Sequence, residues 1–282
     1  MAFSDLNIKI ASEAAVIGLQ PHMARLDAFA HNFSPASGVH YQGIQIPVYA
    51  LSAAAEFNEE TNNWCAGENE TNGQILTLDN HLIKSISITD IENGNVDINF
   101  LRDGARAIAD VIGHGANKTV FGMFNATNCP ISAEAPSTKE GFAGLVKVAA
   151  DNNVNPYECT LVLNPETYST LLGKLDYAVV GTSEAIKYGV IPELYGFRTV
   201  QMSQYLPAGV KGLIIPYGTV GIASRLNKPA IDGYVATWEA GTPDGFTIGF
   251  RVFEHLCKGR MYMGADVLLG CKILQPGIVR LV

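Results

Sequence analysis

Charged side chains are scarce in this chain of 282 residues. Asp, Glu, Lys and Arg make up 16% of it and apolar residues 48%, whereas soluble domains usually contain about 25% charged residues. A monomer with so little charge would leave large apolar patches in contact with water. The composition therefore favours a subunit that buries much of its surface in an assembly. The length favours two subdomains, or one domain with large extensions.

Neither Lys nor Arg occurs between Arg25 and Lys84. The same stretch holds seven acidic residues, and the net charge of the whole chain is −8 at pH 7, so the remainder is nearly neutral. A protein that reads nucleic acid normally has a basic face, and the charge balance argues against that class. The acidic residues of the stretch are Asp27, Glu56, Glu59, Glu60, Glu68, Glu70 and Asp79.

Motifs for catalysis, cofactors and metals are also missing. The five cysteines contain no CxxC pair, which argues against a zinc or redox motif and fits a reducing compartment. The segment 113–119 ends like a phosphate-binding loop, but Asn117 replaces the glycine before the lysine, so we interpret its glycines as a helix end. His22, His31 and His40 recur every nine residues. This spacing does not bring metal ligands onto a common face of a helix or of a strand. We interpret them as surface or interface residues, and expect no enzyme activity, cofactor or metal.

Long apolar runs are missing as well. A membrane-spanning helix requires a stretch of about 18 apolar residues, and no such stretch occurs. The N-terminus also lacks the basic and apolar regions of a signal peptide. We therefore expect a soluble protein that is not exported and has no membrane partner.

A short amphipathic helix is predicted near the N-terminus. Apolar residues recur at Ile10, Ala14 and Ile17, with Leu19 as a further candidate. Pro21 is expected to interrupt the helix, because proline cannot donate the helical hydrogen bond. A polar stretch follows, so this region is expected to form an arm.

A long β-hairpin with an acidic tip is predicted next. Apolar residues alternate at 44–48, 76–78 and 86–88, and the polar stretch from Glu56 to Gly73 separates the first two runs. The tip lacks the Asp/Asn alternation and central glycine of a calcium loop, so we expect it to face solvent or a partner. An isolated hairpin is marginal in water, so this one is expected to lean on something outside its own fold.

The clearest helix is predicted from Asp97 to Ile112. Asp97 can cap it, and apolar residues then recur at three- and four-residue spacing along one face. Charged residues four positions apart on the opposite face can pair, and Gly113 and Gly115 are expected to end the helix. The apolar face comprises Ile98, Leu101, Ala105, Ile108 and Ile112, and the charged face Arg102, Arg106 and Asp110.

The second half mixes helices with many strands. Ser137 and Glu140 have the spacing of a capping box before a helix, and Asn164 can cap a second helix directly after the strand 160–163. Helices and strands alternate without a regular repeat, so the predicted class is α+β. Further strands are predicted at 197–202, 213–216, 219–223, 233–238, 246–253 and 267–282.

Three strings carry a resemblance to a known family: Thr160–Pro165 with Tyr168 and Leu171, Gly196–Pro207, and Gly270–Leu281. Together with the order of elements they resemble the major capsid proteins of tailed bacteriophages, which have the Hong Kong 97 capsid fold. The resemblance covers nearly the whole chain. It implies a subunit that self-assembles into pentamers and hexamers, which form the icosahedral head shell around the double-stranded DNA genome.

The resemblance also implies a division of the chain. The helix from Asp97 corresponds to the spine helix of a peripheral domain, and the hairpin to an extended loop that reaches over a neighbouring subunit. The implied limits are 1–40 for the N-terminal arm, 41–95 for the extended loop, 96–118 and 233–256 for the peripheral domain, and 119–232 and 257–282 for the axial domain.

Partners and location follow from the same resemblance. It implies a virion capsid assembled in the bacterial cytoplasm, either a separate scaffolding protein or assembly without one, a portal protein, non-specific contact with packaged DNA, and room for a decoration protein. An encapsulin-like nanocompartment shell resembles the same fold and stays open as the alternative. A small hydrolase or metal enzyme is the rival from another class, without residues to support it.

The acidic tip is expected to dock on a basic strip of the neighbouring subunit, because its glutamates have no cationic partner in their own segment. An aromatic residue between them can serve as the apolar anchor. The alternative is that the acids only keep the loop soluble. The expected contact residues are Glu56, Glu59, Glu60, Trp64, Glu68 and Glu70 on the loop and Arg102 and Arg106 on the spine helix, with Lys258 and Arg260 as the second choice.

We predict a shell without covalent links. Some capsid proteins that this chain resembles crosslink neighbours through a lysine near the loop tip, but this loop has no lysine before Lys84. The cysteines fit a reducing compartment. Particles boiled in detergent with reductant should run as one band at the 30.2 kDa of a single chain, and a ladder of multimers would contradict this.

Overall fold

The computed structural model describes residues 5–34, 43–49, 71–89, 98–174, 194–226, 236–241, 245–255 and 260–282. Within these ranges the chain forms four α-helices and thirteen β-strands in mixed order. The predicted α+β class is confirmed. None of the helices in these ranges is both long and apolar enough to cross a lipid bilayer.

Two long helices pack side by side. Helix α1 spans Asp5–Asp27 and helix α2 spans Ile98–Gly122. The expectation that Pro21 interrupts α1 is wrong: Leu19 and Met23 on either side of it are buried at 1% exposure and hold the helix against the core. The shared core contains Ala11, Ala15, Leu19, Met23 and Leu26 of α1 and Ala105, Ile108, Ala109, Ile112, Ala116 and Val120 of α2.

Helix α2 does not end at Ile112 but continues to Gly122. The interpretation of Gly113 and Gly115 as a helix end is therefore wrong. At Gly113, a Cβ would lie 2.5–2.8 Å from the side chain of His22, and at Gly18 a Cβ would lie 2.6 Å from the carbonyl oxygen of Arg106. Glycine at these two positions allows the helices to approach closely, which is a packing role rather than a terminating one.

The larger sheet is built around the long strand β12. In chain order its strands are β1 (Ala30–Asn32), β4 (Asn80–Thr89), β9 (Val220–Arg225), β10 (Ala236–Gly241), β11 (Thr247–His255) and β12 (Arg260–Ile273). The path runs β1-β9-β12-β11-β10, and β4 pairs with β12 in addition. All pairs are antiparallel except β1 with β9.

A separate two-stranded hairpin confirms part of the predicted extended loop. Strands β2 (Gly43–Tyr49) and β3 (Thr71–Thr77) pair antiparallel, from Gly43 opposite Thr77 to Tyr49 opposite Thr71. The expectation that Ile86 and Ile88 belong to the same hairpin is wrong, because β4 pairs with β12. Alternation predicts a strand but not its partner.

The hairpin leans on the larger sheet through a small apolar cluster. Gln74 Nε2 donates to the carbonyl oxygen of Leu274 at 3.1 Å, and Lys272 Nζ donates to that of Ile75 at 3.0 Å. These contacts supply the outside support that a two-stranded hairpin needs. The buried residues of the cluster are Ile46, Leu76, Leu78, Ala223 and Leu274.

A second sheet has five strands in the order β5-β13-β8-β6-β7. These strands are β5 (Ser132–Ala133), β6 (Cys159–Leu163), β7 (Thr199–Met202), β8 (Gly212–Pro216) and β13 (Val279–Leu281). Helices α3 (Lys139–Asp151) and α4 (Pro165–Lys174) contribute to its core. The predicted strand-to-helix junction is confirmed, with Asn164 Oδ1 accepting from the Thr167 amide at 2.8 Å.

The predicted cap of α3 is wrong by one residue. Thr138, rather than Ser137, occupies the cap position and accepts from the Gly141 amide at 3.1 Å. Both residues have a side-chain hydroxyl, so the sequence alone did not separate them. The buried face of this helix includes Phe142, Leu145 and Ala149.

The domain limits implied by the resemblance stay predictions, and strand pairing adds a constraint on them. β9 and β12 come from ranges assigned to the axial domain, yet they share one sheet with β10 and β11. The helix within the predicted arm, α1, packs into the core of this sheet and α2.

We predict opposite effects for two glycine substitutions on the same helix. Gly113→Ala should lower the free energy of unfolding by about 1–3 kcal/mol, because its methyl group would overlap His22. Gly115→Ala should raise it by about 0.5–1 kcal/mol, because its methyl group would meet Leu82 at an ordinary 3.6 Å and alanine favours the helix. Thermal unfolding of both variants tests this, and equal shifts would show that the α1–α2 spacing tolerates a side chain at position 113.

Candidate assembly interface and polar clusters

The two arginines predicted to receive the acidic loop are exposed on α2. Arg102 and Arg106 lie about one turn apart, and both are classed as exposed side chains. Arg102 Nε lies 3.5 Å from Asp103 Oδ1, with 52% and 71% of the two side chains exposed. A pair so open to solvent contributes little to stability. Both side chains are therefore open to solvent on this face of α2.

A groove between α1 and α2 runs beside Arg106. It encloses about 440 Å³, and Ile17 in it is 56% exposed. Ile17, one of the apolar residues on which α1 was predicted, therefore faces away from the core, and the buried face of α1 includes its neighbours Ala15 and Leu19. The groove combines an apolar strip with charges of both signs. Its lining is Ile17, Gly18, Pro21, Asp103, Arg106, Ala107 and Asp110.

A polar cluster joins α1 to α2. His22 Nε2 lies 2.8 Å from Asp110 Oδ1, and His114 Nε2 lies 3.5 Å from Asp110 Oδ2. Of the histidines predicted to be surface or interface residues, His22 is not on the surface, since it is 6% exposed. His31 is exposed, and His40 lies outside the described residues. The His22 and His114 rings meet edge to face, with centroids 4.4 Å apart.

Part of this cluster could have been predicted from the spacing of residues along α2. Asp110 and His114 are four residues apart on one helix, so their side chains share a face. His22 belongs to α1 and meets Asp110 of α2 across 88 residues of sequence. Only the packing of α1 brings the three side chains together.

A second cluster is centred on Asp266 of β12, which is 6% exposed. Its Oδ2 accepts from Arg251 at 3.0 Å and lies 3.1 Å from His81 Nε2, while its Oδ1 is buried without a hydrogen-bond partner among the described residues. Arg251 supplies the positive charge that a buried carboxylate needs. The cluster ties β12 to β11 and β4 and lines a shallow groove of about 450 Å³.

The described cysteines, Cys129, Cys159 and Cys271, are free thiols. Burial raises the pKa of Cys159 to about 12, with Glu158 adding to the shift, and raises that of Cys271 to about 11, with Asp79 adding. Burial also raises the pKa of Cys129. Because the thiolate is the nucleophile, thiols with such pKa values are inert at neutral pH.

Most of the predicted loop contact lies outside the described residues. This holds for Glu56, Glu59, Glu60, Trp64, Glu68 and Glu70, and also for Lys258. Arg260 is exposed at the start of β12. The contact between loop and arginines is therefore a prediction about two neighbouring subunits.

No protein-family model matches the chain, and no curated protein matches it either. Solved structures do match. The capsid of Ralstonia phage GP4 has a TM-score of 0.58 at 9% identity, covering 89% of this chain and 86% of that one. The capsid of cyanophage P-SCSP1u has a TM-score of 0.55 at 15% identity, covering 90% and 86%. A virus-like particle from Pyrococcus furiosus has a TM-score of 0.56 at 13% identity, covering 96% and 97%.

These similarities extend over nearly the whole of each chain, and their sequence identities are low enough that they concern the fold alone. The chain has the fold of tailed-phage capsid proteins, the Hong Kong 97-like capsid fold. The fold predicted from the three sequence strings is thereby confirmed.

Proposed function

We propose that this chain is the major capsid protein of a tailed phage, a structural subunit without catalytic activity. The observation that carries the proposal is the similarity to phage capsid structures across 89–90% of the chain. The low charge fraction of 16% supports it independently, because a shell subunit buries most of its faces against neighbours. In this proposal pentamers and hexamers enclose the double-stranded DNA genome, with scaffolding, portal and decoration proteins as partners, after assembly in the host cytoplasm.

The described surface fits a role in assembly. Large apolar side chains are exposed on both helices of the α1–α2 pair, on the hairpin and around the second sheet. Single exposed apolar residues are common, but here they accompany a shortage of charge. The large apolar side chains that are exposed are those of Ile17, Ile75, Ile83, Val111, Tyr157, Leu172, Met202, Tyr217 and Val282.

The groove beside Arg106 is the proposed receptor for the extended loop of a neighbour. Trp64 can cover the apolar strip that includes Ile17, as aromatic anchors do in protein interfaces, while the glutamates around it meet Arg102 and Arg106. Asp103 lies in the same groove and repels those glutamates. Whether attraction by Arg102 and Arg106 exceeds repulsion by Asp103 therefore depends on where the loop lies relative to the two arginines.

An encapsulin-like nanocompartment shell is the second candidate. The virus-like particle from Pyrococcus furiosus favours it, since 96% of this chain and 97% of that one are covered. The contents of native particles separate the two. Nuclease-resistant genomic DNA indicates a phage head, whereas an enclosed enzyme indicates a nanocompartment.

We predict that the purified chain forms closed shells or capsomers. Interfaces of the obligate class bury roughly 2,000 Å² or more, and the charge-poor surface supplies the apolar area. Sedimentation and electron microscopy should show particles far larger than a single chain. A monodisperse monomer at high concentration across a range of salt would contradict the proposed function.

We predict that charge reversal of the loop lowers assembly and that a matched reversal of its receptor restores it. Glu59→Lys with Glu60→Lys should reduce the yield of shells, and Arg102→Glu with Arg106→Glu should do the same. Each exposed ion pair contributes only about 0.2–1 kcal/mol, but every subunit repeats the contact. Combining the four substitutions should recover yield, because opposite charges face each other again.

The control is Lys147→Glu, which reverses an exposed charge on α3 away from the groove. Yield should be measured against salt, since the Debye length falls from about 10 Å at 0.1 M to about 3 Å at 1 M. Unchanged yield and salt dependence in the loop variant would leave the acids with a solubility role only. Loss of yield without recovery in the combined variant would move the receptor elsewhere.

A further inference from the structure

We propose that His22, Asp110 and His114 form a binding site for a divalent transition-metal ion. This inference is independent of the proposed function and departs from the expectation, drawn from sequence, that the chain binds no metal. The potential ligand atoms of the three side chains all lie within 4.8 Å of one another. Two imidazoles and one carboxylate are a donor set that suits Zn²⁺, Co²⁺ and related ions.

The distances between the donor atoms are close to those of a coordination shell. With metal–ligand bonds of about 2.0–2.2 Å, neighbouring ligands of a tetrahedral ion lie roughly 3.3–3.6 Å apart. His114 Nε2 and Asp110 Oδ2 are 3.5 Å apart, within this range, and His22 Nε2 and Asp110 Oδ1 are 2.8 Å apart, a hydrogen-bond distance. The His22–Asp110 separation must widen to admit an ion, and the donor atoms of the two imidazoles lie within 4.8 Å of each other.

The backbone places these donors firmly. Asp110 and His114 occupy successive turns of α2, and Gly113 between them lets His22 of α1 approach, since any Cβ there would overlap its ring. His22 is held in the core with 8% of its side chain exposed. One ligand is therefore preorganised by burial and two by a continuous helix.

Solvent can reach the site from one side. The side chains of Asp110 and His114 are 50% and 43% exposed. An ion can enter there, and water can occupy the coordination positions that the protein leaves open. The carboxylate supplies one negative charge, so the ion meets an attractive potential even with both imidazoles neutral.

The other ring nitrogens have polar neighbours, as metal-bound histidines usually do. Coordination through Nε2 requires the imidazole proton on Nδ1, and in His114 that atom contacts Oη of Tyr205, which can accept it. In His22, Nδ1 lies 3.4 Å from Asn117 Nδ2, so coordination through Nε2 requires a flip of this amide that turns Asn117 Oδ1 toward the Nδ1 proton. Asn117 Oδ1 is buried and has no hydrogen-bond partner among the described residues, so this amide has an unused acceptor.

The competing explanation is a cluster of hydrogen bonds in which Asp110 accepts from each ring without a metal. The two explanations differ in what a chelator does. A bound ion would crosslink α1 to α2 and stabilise only the folded chain, so stability would rise with ion concentration. A purely hydrogen-bonded cluster would be indifferent to both ion and chelator.

The test uses the full chain in its assembled form, without a histidine tag, after dialysis against chelator. We expect stoichiometric binding of Zn²⁺ by calorimetry and a visible absorption band when Co²⁺ is added in its place. His114→Gln and Asp110→Asn change exposed side chains and should each weaken Zn²⁺ binding at least tenfold and abolish the Co²⁺ band. Zn²⁺ should also raise the unfolding temperature of the parent chain and not that of the variants.

The matched control is His31→Gln, an exposed histidine of β1 outside the cluster, which should bind Zn²⁺ like the parent. Equal Zn²⁺ affinity in parent and His114→Gln, or no visible Co²⁺ band in the parent, would overturn the proposal. A Co²⁺ band that disappears on alkylation of the cysteines instead would also overturn it, because the ion would then be bound by thiolates. Assembly itself is scored separately by microscopy, so failure here leaves the proposed shell function untouched.

Discussion

Backbone hydrogen bonding of β12 is the constraint on which most of the described structure depends. Its first half has neighbours on both sides, β11 and β4, and its second half pairs with β9 before the chain passes to β13 in the other sheet. A strand enclosed in this way must satisfy its amides and carbonyls along its whole length. Gly270 shows how tight the arrangement is, since a Cβ there would lie 2.4 Å from the carbonyl oxygen of Thr77 in the hairpin.

Local patterns predicted elements well and their partners poorly. The junction at Asn164 and the buried face of α3 were predictable because capping and helical periodicity act over a few residues. The partner of β4 was not, because alternation is the same whichever strand lies beside it. The predictions at Pro21 and Gly113 were wrong for a related reason. Each residue type tends to break helices, but the packing of α1 on α2 outweighs that tendency. At position 113 the packing also requires a glycine, because a Cβ would overlap His22.

The candidate sites also differ in whether their residues are placed by local sequence pattern or by packing between distant segments. Arg102 and Arg106 could be placed on an exposed helix face from sequence, since they oppose an apolar stripe. Burial of His22 could not be predicted from sequence, because it depends on contact with a residue 88 positions away along the chain. The buried Asp266 was likewise hidden in the sequence, as Arg251 and His81 come from two other strands that only the sheet brings together.

Among the described residues, the hairpin of β2 and β3 is attached to the larger sheet through a cluster of five buried residues and two hydrogen bonds, at Gln74 and Ile75. Opening of the hairpin therefore breaks fewer of the described contacts than opening of β12, a pattern typical of units of low local stability. If the chain assembles into the proposed shell, differences in curvature between subunits would be taken up at this hairpin, while the six-stranded sheet would keep its register.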